Sequence, residues 1–137
     1  MSVSAKMNSK SHILITKEDN TYKEYSCGKA SNGIDYGVKL CIIGSYAYLY
    51  GQVNKTMNAN STNNIGFIPS RFLPIRLTVF DTVSVLTNNE NRTPSGKEVS
   101  LLVDEITGEI KLSSSEAFSN GLICFRVFFP SEMLASN

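Results

Sequence analysis

From His12 onward, short apolar or alternating runs recur about every 8 to 12 residues, separated by clusters of Gly, Asn, Ser and Pro. That spacing predicts an all-β domain of about nine strands, an antiparallel β-sandwich of jelly-roll type. The clearest alternation sets Ala47, Leu49, Gly51 and Val53 against Tyr46, Tyr48 and Tyr50. Side chains two apart on a strand share a face, so one face of this strand is aliphatic and the other aromatic. A second strand, predicted over 76–86, puts Leu77, Val79, Val83 and Val85 on one face and Thr78, Phe80, Thr82 and Ser84 on the other. Asp81 interrupts the apolar set, which suggests a bulge or a strand that changes sheets.

Residues 99–112 read as a hairpin: two apolar-rich runs joined by Glu105-Ile106-Thr107-Gly108, with Gly108 supplying the positive φ that such a loop needs. The last strand, 122–129, is apolar on both faces except at Arg126, as expected of a central strand or one buried at a subunit contact, and Pro130 ends it. Helix signals are weak. Ser113 to Phe118 carries a Ser and Glu capping pair but has room for one turn at most before Asn120 and Gly121. Residues 1–11 lack any apolar period and read as a flexible arm or connector, leaving 12–137 as a single head domain.

Composition narrows this picture. A chain of 137 residues, 42% apolar and 18% charged, can build one core. Its polarity comes instead from roughly 31 Ser and Asn, residues that favour turns and caps over helix interiors. Thirteen basic against twelve acidic residues give a net charge of +1 with no basic stripe, so nucleic acid is not a predicted partner. The run 122–129 is far too short to cross a bilayer, and no membrane insertion is predicted. The first residues lack the apolar core of an ordinary secretory signal. Cys27, Cys41 and Cys124 are odd in number and far apart, which fits small buried thiols in a protein assembled in a reducing cytoplasm.

The residues that could carry catalysis are few. His12 is the only histidine and sits near a frayed terminus, so neither a histidine metal cage nor a Ser-His-Asp triad is predicted. Asp81, Asp104, Glu105, Glu109 and Glu116 contain the residue types of a glycosidase pair, but Asp104 and Glu109 flank a turn, where hydrogen bonding to the loop backbone is the simpler role. No Gly-rich loop precedes a helix. The sequence therefore predicts no enzyme, no cofactor and no metal site. The sequons at Asn54, Asn60 and Asn91 are about as many as chance supplies in so Asn- and Ser-rich a chain. Two features suit a ligand. The Tyr46, Tyr48 and Tyr50 stripe either packs against a second sheet or a neighbouring subunit, which is the commoner outcome, or stays exposed to stack on a ligand. The amide-rich segments 58–64 and 88–92 offer donors and acceptors that match sugar hydroxyls. In the second, Asn89, Glu90, Asn91 and Arg92 are the stronger candidates because charges strengthen hydrogen bonds.

Three stretches in order, Tyr48-Leu-Tyr-Gly-Gln-Val53, Ile65-Gly-Phe-Ile-Pro-Ser-Arg-Phe-Leu-Pro74 and Val103-Asp-Glu-Ile-Thr-Gly-Glu-Ile110, resemble the C-terminal head domains of bacteriophage tail-fibre, baseplate and receptor-binding proteins. In those domains a strand ending in Gly-x-Val precedes a proline corner and a hairpin that opens on Val-Asp and closes on Gly-x-Ile. Pro69 and Pro74 would fix the corner and Phe72 would bury there. Ile68, Phe67 and Leu73 depart from the usual Leu, small polar and basic residues. The resemblance implies a non-catalytic homotrimer in the virion tail or baseplate, produced in the host cytoplasm, that contacts other phage tail proteins and binds host cell-surface polysaccharide. The other function it leaves open is a structural decoration or assembly protein of the virion with no receptor role.

Overall fold

The computed structural model describes residues 22–76 and 79–135, without the side chains of Val79 and Phe80. Eight strands form there: β1 (Tyr22–Ser26), β2 (Lys39–Ile43), β3 (Tyr46–Met57), β4 (Ser61–Phe67), β5 (Val79–Thr87), β6 (Pro94–Val103), β7 (Glu109–Ser114) and β8 (Phe118–Pro130). All pair antiparallel in one curled sheet of order β1-β2-β3-β8-β5-β6-β7-β4. The fold class is the predicted all-β antiparallel one, with eight strands among the described residues against the expected nine. His12, Leu77, Thr78 and the arm 1–11 lie outside the described residues.

The sheet is built of two four-stranded halves. β3 and β8 pair along their full length, from Tyr46 opposite Pro130 to Met57 opposite Phe118. β5 follows β6 from Val79 to Leu86 but meets β8 only at Val85, Leu86 and Thr87. This short seam joins β1-β2-β3-β8 to β5-β6-β7-β4. At the other edge the Phe67 N–H donates to the Cys27 carbonyl at 2.8 Å, so the chain leaving β1 meets the edge of β4. The curl encloses one core. Leu40, Leu49, Val53 and Ile123 face Ile65, Val85, Val99, Leu101, Ile110 and Leu112, all essentially without solvent contact. Each such side chain contributes about 1.5–3 kcal/mol on burial, which is why the alternation in β3 decides which face turns inward.

The proline corner and the hairpin pack on one another. Phe72, in a 3₁₀ turn at Ser70–Phe72, is buried as expected and meets the Tyr25 ring edge-on at 4.9 Å. Gly108 has φ +76°, as its place in the hairpin requires, and its carbonyl accepts the Ile68 N–H at 2.8 Å. A Cβ there would stand 3.0 Å from the Ile68 carbonyl oxygen. Ile75 N–H donates to Glu105 and Ala135 N–H to Phe72, so the loop and the end of the described chain both seal the corner.

Four expectations are corrected. Asp81 is exposed, its carboxylate taking the Thr82 N–H, and the β5 register shift falls between Val85 and Leu86 instead, at the seam where β5 turns to meet β8. The segment 58–64 is only briefly a loop, because Ser61 to Asn64 pair with β7 as an edge strand. The Asn64 side chain is spent there, accepting the Ser31 N–H and donating to the Gly66 and Ile110 carbonyls. Ser114 and Glu116 make a bend, not a helical turn, with the Ser114 hydroxyl donating to the Glu116 carbonyl. Cys27 and Cys41 are buried, and burial pushes the Cys27 thiol up to about 12, but Cys124 points outward and is exposed.

A candidate aromatic binding face

Because paired residues share a face of the sheet, the register sets the outer surface of the β1-β2-β3-β8 half in rows. Tyr22, Ile43, Tyr46 and Pro130 make the first row; Glu24, Cys41, Tyr48 and Phe128 the second; Ser26, Lys39, Tyr50 and Arg126 the third. The tyrosine stripe of β3 therefore runs down the middle of the face, and among the described residues no second sheet lies over it. Tyr46 is 64% exposed, Phe128 60% and Tyr22 54%, while Tyr48 and Tyr50 are half-buried by their neighbours.

The rings hold one another. Tyr48 and Phe128 lie 5.1 Å apart between centroids and Tyr48 and Tyr50 5.5 Å, tilted by 50° and 45°, in the range of favourable aromatic pairs. The Arg126 guanidinium sits 5.9 Å from the Tyr48 ring and 5.7 Å from the Phe128 ring, a cation–π arrangement that orients it. On the other side of the stripe the Tyr22 and Tyr50 hydroxyls both donate to Glu24. These hydrogen bonds, Tyr50's first, hold the Glu24 carboxyl below its ordinary value, and the same bonds raise both phenols. Cys41 is fully covered beneath the rings and raises the Tyr48 phenol through a hydrogen bond.

Below Tyr50 the face dips into a groove of about 590 Å³, walled by Tyr36, Tyr50, Gln52, Cys124 and Arg126. The Tyr36 hydroxyl is fixed by Lys55 Nζ at 3.0 Å and by Asn32 at 2.9 Å. Partial burial works to raise this phenol, but those two hydrogen bonds and the Lys55 charge outweigh it and leave it below its ordinary value. The groove thus combines aromatic walls, an amide and an oriented cation.

The loop 88–93 lies elsewhere. Thr87 pairs with Gly121, near the far end of β3, so roughly 20 Å of strand separates this loop from the tyrosines. Asn89 is occupied in building the loop: its Oδ1 accepts the N–H groups of Asn91 at 3.0 Å and Arg92 at 3.1 Å and the Thr87 hydroxyl at 3.2 Å. Glu90, Asn91 and Arg92 are exposed. Beside the loop is a recess of about 300 Å³ where Asn54 and Asn88 both donate to Asn120 Oδ1. Of the candidate residues, then, the structure brings Tyr46, Tyr48 and Tyr50 together and keeps Asn89, Glu90, Asn91 and Arg92 apart from them. Phe128, Arg126 and Tyr36 were not singled out as site residues by the sequence. The period-two set Cys124, Arg126 and Phe128 inside an otherwise apolar strand was the available signal for the first two; Tyr36 reaches the groove only through the loop before β2.

Among the described residues no three His, Cys, Asp or Glu side chains converge, and no helix is long and apolar enough to cross a membrane. The chain matches no protein-family model and no curated protein.

Proposed function

We propose that this chain is a non-catalytic saccharide-binding head domain of the bacteriophage tail or baseplate type, with the outer aromatic face of the β1-β2-β3-β8 half as its binding surface. One observation carries this reading: Tyr46, Tyr48, Tyr50 and Phe128 stand on the outside of the sheet, rimmed by Arg126, Gln52 and Glu24, where no core needs them. A contiguous exposed apolar patch with a polar rim marks an interaction site. Rings of this kind pack on the C–H faces of sugars while the amide and charged groups at the rim take the hydroxyls. In this reading the curled sheet acts as a sandwich of two halves, the chain is made in the host cytoplasm and works in the virion as a homotrimer attached to other tail proteins, and multiple weak contacts with host cell-surface polysaccharide add through effective concentration.

The test is a glycan array together with adhesion to host cells, run on the wild-type chain, a Tyr46→Ser/Phe128→Ser variant and a loop variant with Ser at 89–92. Binding lost in the face variant and kept in the loop variant supports the proposal; the reverse moves the site to the loop. A second reading, a virion decoration or assembly protein, is favoured by Ile43 and Pro130 sharing the face with two of its tyrosines, since aromatics and Arg also mark protein interfaces. Particle-bound protein with no affinity for any glycan or cell would establish it. Light scattering that gives a monomer at micromolar concentration would remove the trimer from either reading.

A further inference from the structure

We infer that the saccharide taken by this face is acidic, with a carboxylate of a uronic-acid type sugar received by Arg126 at the mouth of the groove. This rests on the saccharide reading and adds the charge class of the ligand. Arg126 is exposed on a central strand, yet no carboxylate lies within ion-pair reach of it among the described residues. Its contacts are the faces of Tyr48 and Phe128, which orient the guanidinium plane without occupying its N–H donors. A guanidinium held in this way loses less freedom when it forms paired hydrogen bonds to a planar carboxylate.

The surroundings agree in charge. Lys39 lies in the same row as Arg126, and Lys55 supports Tyr36 on the groove wall. The carboxylate nearest in the register, Glu24, is rooted three strands away on β1 and reaches in only as far as the Tyr50 hydroxyl. It is also already engaged by Tyr22 and Tyr50. Asp35, near the groove rim, is turned to the Gly37 N–H at 2.8 Å. An anionic ring laid in the groove would thus meet the Arg126 guanidinium, with Gln52 beside it as a neutral donor and acceptor.

The test presents a panel of bacterial surface polysaccharides containing uronic acids, each beside its carboxyl-reduced form, to the wild-type chain, Arg126→Gln and Arg126→Lys. A charge-assisted pair predicts at least about a tenfold loss of affinity on carboxyl reduction. A loss of similar size is expected in Arg126→Gln, with partial retention in Arg126→Lys and weakening as salt rises. Equal binding to native and reduced forms, or binding confined to neutral glycans, overturns the acidic ligand and leaves the saccharide reading standing. Binding to none of the polysaccharides overturns both. The reduction arm uses the unaltered chain, so the result does not depend on whether either variant folds.

Discussion

The two halves of the sheet share one core and differ on the outside. On β5-β6-β7-β4 the outward positions include Thr82, Ser84, Glu98, Ser100, Lys111 and Ser113, a mostly hydrated surface with Leu102 and, on the edge strand, Phe67 as its apolar members. On β1-β2-β3-β8 the equivalent positions hold Tyr22, Tyr46, Tyr48, Tyr50, Phe128 and Arg126. Both halves bury aliphatic residues inward to the same degree, so the core does not account for the aromatic side. Solvated hydroxyls suffice on one half, and the rings on the other are surplus to folding. That surplus is what points to recognition.

The comparison breaks most plainly with two phenylalanines. Phe72→Ala removes a ring that is 1% exposed and packed on Tyr25, and should cost about 3–5 kcal/mol through lost transfer energy and a cavity. Phe128→Ala removes a ring 60% exposed, whose main partner is Tyr48, and should cost less than about 1 kcal/mol. Urea denaturation of both variants measures the contrast. Equal losses would mean that the outer aromatics hold the fold, and the surplus argument would fail.

How far the sequence reaches differs in the same way between the two faces. Inward faces were legible, since alternation at Ala47, Leu49 and Val53 and the Gly108 hairpin depend on local periodicity and turn chemistry. The corner was legible through the resemblance, with Phe72 buried where it places it. Which strands lie side by side was not legible. Tyr48 meets Phe128, 80 positions later, only because β8 returns between β3 and β5, and no local pattern encodes that insertion. The outer site is assembled from cross-strand rows, so the tyrosines could be named but their arginine and phenylalanine partners could not. The amide segment 58–64 was misread for the opposite reason: polar residues that read as loop, Ser61 to Asn64, were taken up as an edge strand.

A second variant sharpens the idea that the halves are distinct units joined at a seam. Gly121 pairs with Thr87 there, and a Cβ at Gly121 would lie 2.5 Å from a Val85 methyl and 2.7 Å from the Phe118 ring. Gly121→Ala should therefore cost about 1–3 kcal/mol by overpacking. Hydrogen exchange should rise first at Val85 to Thr87 and their β8 partners, leaving the β2–β3 and β6–β7 pairings protected. Uniform loss of protection across all eight strands would show one cooperative sheet with no weak seam.

The smallest effect compares one carboxylate from each half. Asp104, in the β6–β7 loop, accepts the backbone N–H groups of Thr107 at 2.8 Å and Ile106 at 2.9 Å, and these bonds hold it below its ordinary value. Glu24 is held low as well, but by the Tyr50 and Tyr22 hydroxyls. For both groups the folded-state value is depressed, so the charged form favours the fold above the ordinary carboxylate range, and that contribution fades as pH falls through the depressed value. The difference lies in the donors, since backbone N–H groups come with the turn whereas phenol hydroxyls can be removed singly. Tyr50→Phe deletes the larger of the two bonds to Glu24 and should raise the Glu24 carboxyl toward its ordinary value while Asp104 stays where it was. Carboxyl carbon shifts followed by NMR from neutral to acid pH in the wild type and Tyr50→Phe measure both at once. If Glu24 titrates unchanged in the variant, the tyrosine hydroxyls do not organise the aromatic face. If Asp104 shifts with it, the outer face of one half is coupled to the loop of the other, and the two regions cannot be treated as independent.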